Sequence, residues 1–348
     1  MGGLTVDTAP AAWTSAAEGA APGPRPALDP ELAALLAELP AAPALGADTL
    51  ALLRPYACTP LEPLLVGRAV DRRETSATAR DGHQLPVTVL SPSRPPGAAV
   101  APQAPCVLWL HGGGMVMGDR FSQIDIPLEW LEELGAVVVT VDYRLAPEAG
   151  GSTAVEDGYA GLRWVLEHAE ELGVDPARVV VAGTSAGGGL AAGVSLMARD
   201  LGGPAIAAQV LICPMLDHRG VTVSSRQEDG PSTWNRRAND FAWASVLAPL
   251  VRDGAPGGRV VTAHVSPALA ADLSGLPSTY VDAGSAELFR DEDVEYAGRI
   301  WAAGGQVELH VWAGGFHGFD ALFPRARLSR AARAARSHWL QRVLRPGA

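Results

Sequence analysis

Short apolar runs alternate with stretches of helical periodicity over most of this chain, and the two kinds take turns. Runs at 106–110, 136–142, 178–182, 206–212, 278–283 and 306–311 predict strands, and helices are expected at 155–171, 186–199, 290–303 and 326–343. Val179-Val180-Val181 and Cys106-Val107-Leu108-Trp109-Leu110 are apolar without alternation, as strands buried on both faces require. Ahead of them, Asp81-Gly82 separates two runs, the second alternating over 85–90, which is a hairpin signal. The pattern predicts one mostly parallel sheet, covered by helices on both faces.

The flanking segments read differently. Residues 1–26 are rich in Ala, Pro and Gly and are expected to be disordered or loosely attached. Leu28-Asp29-Pro30-Glu31 starts a helix, with Asp29 as N-cap and Pro30 in its first turn, and short helices broken by prolines follow to about residue 64. A long insertion separates strand 206–212 from strand 278–283; it carries a helical segment, 235–251, with Trp234, Phe241 and Trp243. The expected organisation is a catalytic body of 65–216 and 263–348, with residues 27–64 and the insertion 217–262 forming a cap. No internal repeat is visible.

The chemistry starts at Gly183-Thr184-Ser185-Ala186-Gly187-Gly188, which follows a buried strand and opens an alanine-rich helix. This is G-x-S-x-G between strand and helix, where small neighbours allow a turn sharp enough to present the hydroxyl beside a helix N-terminus. Ser185 is the candidate nucleophile. Upstream, strand 106–110 empties into His111-Gly112-Gly113-Gly114, a glycine loop whose bare N–H groups can approach a substrate. The N–H groups of Gly112, Gly113 and Ala186 are the candidate oxyanion donors, and His111 is read as a brace for the loop.

In hydrolases built on this elbow the acid and then the histidine follow the serine in the chain. Of the eight histidines, that order leaves His310, His317 and His338. His310 falls within an alternating strand and His338 in the terminal helix, whereas His317 lies in the loop Gly314-Gly315-Phe316-His317-Gly318, where catalytic residues belong. His317 is the candidate base. For the acid, Glu287 sits in the loop after strand 278–283, while Asp291 to Asp293 read as first-turn acids of the next helix. Glu287 is favoured, with Asp291 the alternative.

Taken together, HGGG at 111–114, Asp142-Tyr143-Arg144-Leu145-Ala146-Pro147-Glu148, the serine elbow, Cys213-Pro214-Met215-Leu216-Asp217, Phe289-Arg290-Asp291-Glu292 and His317-Gly318-Phe319 resemble the bacterial hormone-sensitive lipase family of esterases, family IV. The resemblance covers roughly 65–345 and implies the α/β-hydrolase fold, with an eight-stranded sheet and a helical cap. Aligning Arg290-Asp291-Glu292 on the end of the family's Asp-Pro-Leu-x-Asp-Glu places Glu287 at the catalytic Asp. The chain departs from that pattern in having Glu for Asp and no proline after it, and Thr184 resembles the GTSAG branch. The implied activity is hydrolysis of short- to medium-chain acyl esters through a Ser-His-Glu acyl-enzyme, with no metal or organic cofactor. A deacetylase or lactonase of one specific metabolite or drug ester is the alternative; a binding relative that has lost catalysis and an interfacial lipase are weaker ones. The pocket is expected to draw on Met115, Met117, Phe121, Trp234 and Phe316.

Composition removes other classes. All 27 basic residues are arginine, so neither a Walker A loop nor a Schiff-base lysine can be present. The net charge of −11 argues against a nucleic-acid partner, and the resemblance implies a small-molecule ester as the expected one. Neither a membrane-length apolar run nor a basic, apolar leader is found, so a cytoplasmic protein without a membrane span is expected, and a homodimer stays open. Cys58, Cys106 and Cys213, without ligand spacing, are expected to be buried, reduced thiols.

Overall fold

The computed structural model describes residues 23–40, 42–93, 103–227, 232–251 and 261–344. Eight strands form a single sheet: β1 (Val70–Thr78), β2 (Gln84–Pro92), β3 (Ala104–Leu110), β4 (Val137–Val141), β5 (Val174–Thr184), β6 (Ala208–Ile212), β7 (Ser278–Gly284) and β8 (Val307–Trp312). They lie in the order β1-β2-β4-β3-β5-β6-β7-β8. The hairpin β1–β2 and the β2–β4 pair are antiparallel, and all other neighbours are parallel.

The unbroken apolar runs have a simple cause. Every residue of β3 is buried, with Cys106, Leu108 and Leu110 in one core and Val107 and Trp109 in the other. Strand β5 repeats this, with Val179 and Val181 on one face and Val180 and Ala182 on the other. Helices Thr153–Glu167 and Ala186–Asp200 close the first face, and Asp125–Leu134 and Arg327–Val343 close the second. Edge strand β1 instead exposes Asp71, Arg72, Arg73 and Glu74, charges that discourage pairing with another sheet.

From β3 the chain crosses to β4 on one side, and β5 then returns to the other side of β3. That reversal opens a crevice at the carboxyl ends of β3 and β5, where ligands of open α/β sheets bind. The HGGG loop and the serine elbow leave from those two ends.

Local differences from expectation are small. Strand β5 begins at Val174, and the helix expected at 155–171 runs Thr153–Glu167, followed by the short Ala169–Leu172. The first helix is Pro30–Ala37, with the Asp29 carboxylate accepting from the N–H of Glu31 and Leu32 at 3.0 and 3.2 Å. Residues 1–22 of the expected loose segment lie outside the described residues. Cys106 and Cys213 are buried, but Cys58 is exposed, because it follows the surface turn Arg54–Ala57 rather than entering the core. Among the described residues, no helix is long and apolar enough to cross a membrane.

Candidate active site

Ser185 stands alone between the last residue of β5 and the first residue of the helix Ala186–Asp200. Its backbone has φ 57° and ψ −121°, a conformation that non-glycine residues adopt only when their surroundings over-determine it. The surroundings do so here: Ser185 N–H donates to Ile212 O at 2.8 Å, and its carbonyl accepts from Met215 and Gly189 N–H at 2.9 and 3.0 Å. Gly187 lets the turn sit against β3. A Cβ there would lie 2.0 Å from the Leu110 carbonyl oxygen.

His317 lies in the loop after β8, and its Nε2 is 2.9 Å from Ser185 Oγ. Its Nδ1 is 2.6 Å from Glu287 Oε2, and the other oxygen of Glu287 accepts Gly284 N–H at 2.8 Å. Phe289 meets the imidazole edge-on with centroids 5.1 Å apart, and Trp234 flanks it at 6.5 Å. All three of Ser185, Glu287 and His317 are buried. In a water-poor site a hydrogen-bonded carboxylate fixes the tautomer of the ring and stabilises the imidazolium that forms when the serine gives up its proton.

The alternative acid is elsewhere engaged. Asp291 accepts from Ser224 N–H and from Arg290 Nε, both at 2.7 Å, and makes no contact with His317. Two carboxyls beside it are buried without being part of the chain to Ser185. Glu292 accepts the N–H of Leu216 and Asp217 at 2.8 and 3.2 Å, clamping the loop after β6. Asp293 has no hydrogen-bond partner for either oxygen among the described residues, and burial, with Glu287 and Glu292 nearby, pushes its carboxyl well above the usual range.

The glycine loop corrects one expectation. Gly112 N–H donates to Gln123 Oε1 at 2.9 Å, so it is not open to a substrate oxygen in this conformation. The N–H groups of Gly113 and Gly114 have no partner among the described residues, and Ala186, as first residue of its helix, has no acceptor one turn back. Gln123, eleven residues beyond Gly112, was not singled out from the sequence. His111 braces the loop: it is fully buried, its Nδ1 is 2.7 Å from Gly112 O, and it stacks on Tyr143 at 4.1 Å. Burial lowers its pKa, which keeps the ring neutral.

Ser185 and His317 open on a cleft of about 890 Å³. Of the five expected pocket residues, only Trp234 lines it, and its ring sits so close to the glycine loop that a Cβ on Gly114 would be 2.3 Å from Trp234 Cη2. The other four are packing residues. Met115 and Met117 belong to the main core, Phe316 packs with Phe319 and Phe323, and Phe121 lies under the guanidiniums of Arg72 and Arg120. Apolar character near a motif did not say which side of the loop each would face. One group of metal-ligating type exists among the described residues, Cys213, Glu287 and His317, with ligand atoms within 4.8 Å. The 2.6 Å hydrogen bond between the last two accounts for their closeness.

Residues 107–321 match the family described as alpha/beta hydrolase fold. The chain belongs to that family, in its hormone-sensitive-lipase-like branch. Esterase LipI of Mycobacterium tuberculosis is 35% identical over 237 residues, covering 67% of this chain and 72% of that protein. Ethyl acetate hydrolase of Pseudomonas putida is 33% identical over 251 residues, covering 71% and 74%. Among solved structures, a bacterial heroin esterase aligns with a TM-score of 0.80 and 38% identity over 92% of this chain and 98% of its own.

Proposed function

We propose that this chain is a carboxylesterase that cleaves short- to medium-chain acyl esters through a covalent acyl-enzyme on Ser185. The observation that carries the reading is the unbroken chain Ser185 Oγ, His317 Nε2, His317 Nδ1, Glu287 Oε2, with links of 2.9 and 2.6 Å. Ser185 Oγ attacks the ester carbonyl carbon while His317 Nε2 takes its proton. The tetrahedral oxyanion is received by the N–H groups of Ala186 and Gly113, each worth about 3–4 kcal/mol in the transition state. Collapse breaks the bond to the alcohol, which leaves with the proton from His317. Water then attacks the acyl-serine by the same route, releasing the acid and restoring Ser185. Glu287 acts through His317 as its orienting group.

The cap reading is supported by contacts from both segments. Thr59 and Leu64 of the N-terminal segment line the cleft, as does Trp234 of the insertion. An active-site phosphonate or sulfonyl fluoride tests the proposal. It should label Ser185 alone, and Ser185→Ala should abolish both labelling and ester turnover. Labelling that survives in the variant would refute the assignment.

A further inference from the structure

Between residues 325 and 336 the chain carries five arginines, and three have carboxylate partners. Arg327 pairs with Glu31 at 3.3 Å; Arg333 pairs with Asp125 and Glu129 at 2.6 and 2.7 Å; Arg336 pairs with Asp282 at 2.8 Å and also with Asp320. Arg325 and Arg330 have no carboxylate partner among the described residues, and the Arg330 guanidinium leans on the Arg325 carbonyl oxygen at 2.6 Å. These two are the ones that line the cleft holding Ser185 and His317 without being neutralised there.

The charge around that cleft is therefore uneven. Deeper in the cleft, Arg333 is shared between Asp125 and Glu129, and Arg68 pairs with Glu132 at 2.6 Å, so each of these guanidiniums is already engaged by carboxylate. A cationic lip on a chain of net charge −11 runs against the character of the whole surface. Guanidinium forks match carboxylate and phosphate oxygens, and two guanidiniums without carboxylate partners at the cleft mouth attract ligands of the opposite sign.

We propose that the esters this enzyme prefers carry an anionic group, and that Arg325 and Arg330 receive it at the cleft mouth while the ester carbonyl sits at Ser185. This rests on the esterase reading and names its substrate class. The shared chemistry is a carboxylate or phosphate held away from the scissile bond. It can sit on the alcohol or on the acyl side.

The test uses matched pairs of esters: 4-acetoxybenzoate against 4-acetoxybenzamide for the alcohol side, and the 4-nitrophenyl monoester of adipic acid against 4-nitrophenyl hexanoate for the acyl side. The readout is the anionic-to-neutral ratio of kcat/KM, so that the intrinsic reactivity of each ester cancels when proteins are compared. Relative to wild type, the ratio for one pair should fall about tenfold in Arg325→Glu/Arg330→Glu and by roughly twofold to fivefold in each single Gln variant, the size expected of exposed ion pairs. It should also fall in wild type as salt is raised, because the lip is open to solvent. Which pair responds identifies the side that bears the charge. Neutral esters turned over by wild type, with a ratio indifferent to both substitutions and to salt, would overturn the arginine assignment alone. Wild type that turns over none of the four esters would overturn the esterase reading beneath it. Circular dichroism of each variant separates misfolding from a change of preference, and the single Gln variants carry the test if the double variant fails to fold.

Discussion

His317 Nδ1 lies 2.6 Å from one oxygen of Glu287, and Gly284 N–H holds the other oxygen at 2.8 Å. The carboxylate is thus pinned from β7 and aimed at a ring that comes from the loop after β8. Replacing it by an amide of the same shape leaves a group that can turn an N–H toward Nδ1 and favour the wrong tautomer. Glu287→Gln should lower kcat by up to about 10⁴-fold, as an Asp→Asn change does in the serine protease triad. Asp291→Asn should leave kcat nearly unchanged and cost about 0.3–1 kcal/mol in stability, since Asp291 serves the first turn of its helix. Steady-state kinetics and thermal unfolding of both variants decide the matter, and the reverse ranking would move the acid to Asp291.

How far the sequence anticipated this arrangement depended on the range of the interaction concerned. Val179 to Val181 and Val107 to Leu110 announced central strands, because burial on both faces leaves no place for polar residues. Ser185 was legible because its turn admits only small neighbours, and those are adjacent in the chain. Which N–H groups of the glycine loop are open was not, since whether Gly112 N–H is free depends on Gln123 Oε1 folding back onto it. The cationic lip was hidden for the same reason: Arg325 and Arg330 differ from Arg327, Arg333 and Arg336 only in which carboxylates the fold brings near. Phe316 adjoins His317 in sequence, yet packs with Phe319 and Phe323 rather than lining the cleft.

The Gly112–Gln123 bond makes an opposite prediction to the one the glycine motif alone would make. With Gly112 N–H as an oxyanion donor, Gln123 would compete with the substrate, and its removal would raise kcat. In the proposed arrangement Gln123 pins the loop that aims Gly113, and Gln123→Ala should lower kcat. A loss of about tenfold, smaller than the 10²–10³ for deleting a donor outright, is expected for a loosened but intact hole. Comparing kcat of Gln123→Ala and Gln123→Glu with wild type on one neutral ester is sufficient. A rise in either would restore Gly112 as a donor.

The N-terminal segment is packed as a working part rather than a tail. Leu32 and Leu61 are buried, and Arg54 donates to Val116 O at 2.9 Å and Ala146 O at 3.0 Å while pairing with Glu148 at 2.7 Å. Deleting residues 1–64 should inactivate the enzyme or change its acyl preference, since each lost leucine withdraws about 1.5–3 kcal/mol of burial and the cleft loses Thr59 and Leu64. Deleting residues 1–26 should be nearly silent. Identical kinetics and melting temperatures for the two truncations would show that 27–64 has no part in the site.

Asp293 gives a stability prediction with a definite pH dependence. Its carboxyl is fully buried, without a hydrogen-bond partner among the described residues, and burial beside Glu287 and Glu292 raises its pKa well above the ordinary value. A carboxyl with that property binds its proton more tightly in the folded chain than in the unfolded one. The stability it contributes is complete below the ordinary carboxylate range and declines as pH rises toward the folded-state value, at about 1.4 kcal/mol per pH unit. Asp293→Asn keeps the shape and is neutral at every pH, so it removes that decline. The melting temperature of the variant relative to wild type should therefore increase as pH is raised above the ordinary carboxylate range, until the folded-state value is passed. Thermal unfolding of both proteins across that range measures the difference directly, and an offset that does not change with pH would mean that Asp293 titrates alike in the folded and unfolded chains.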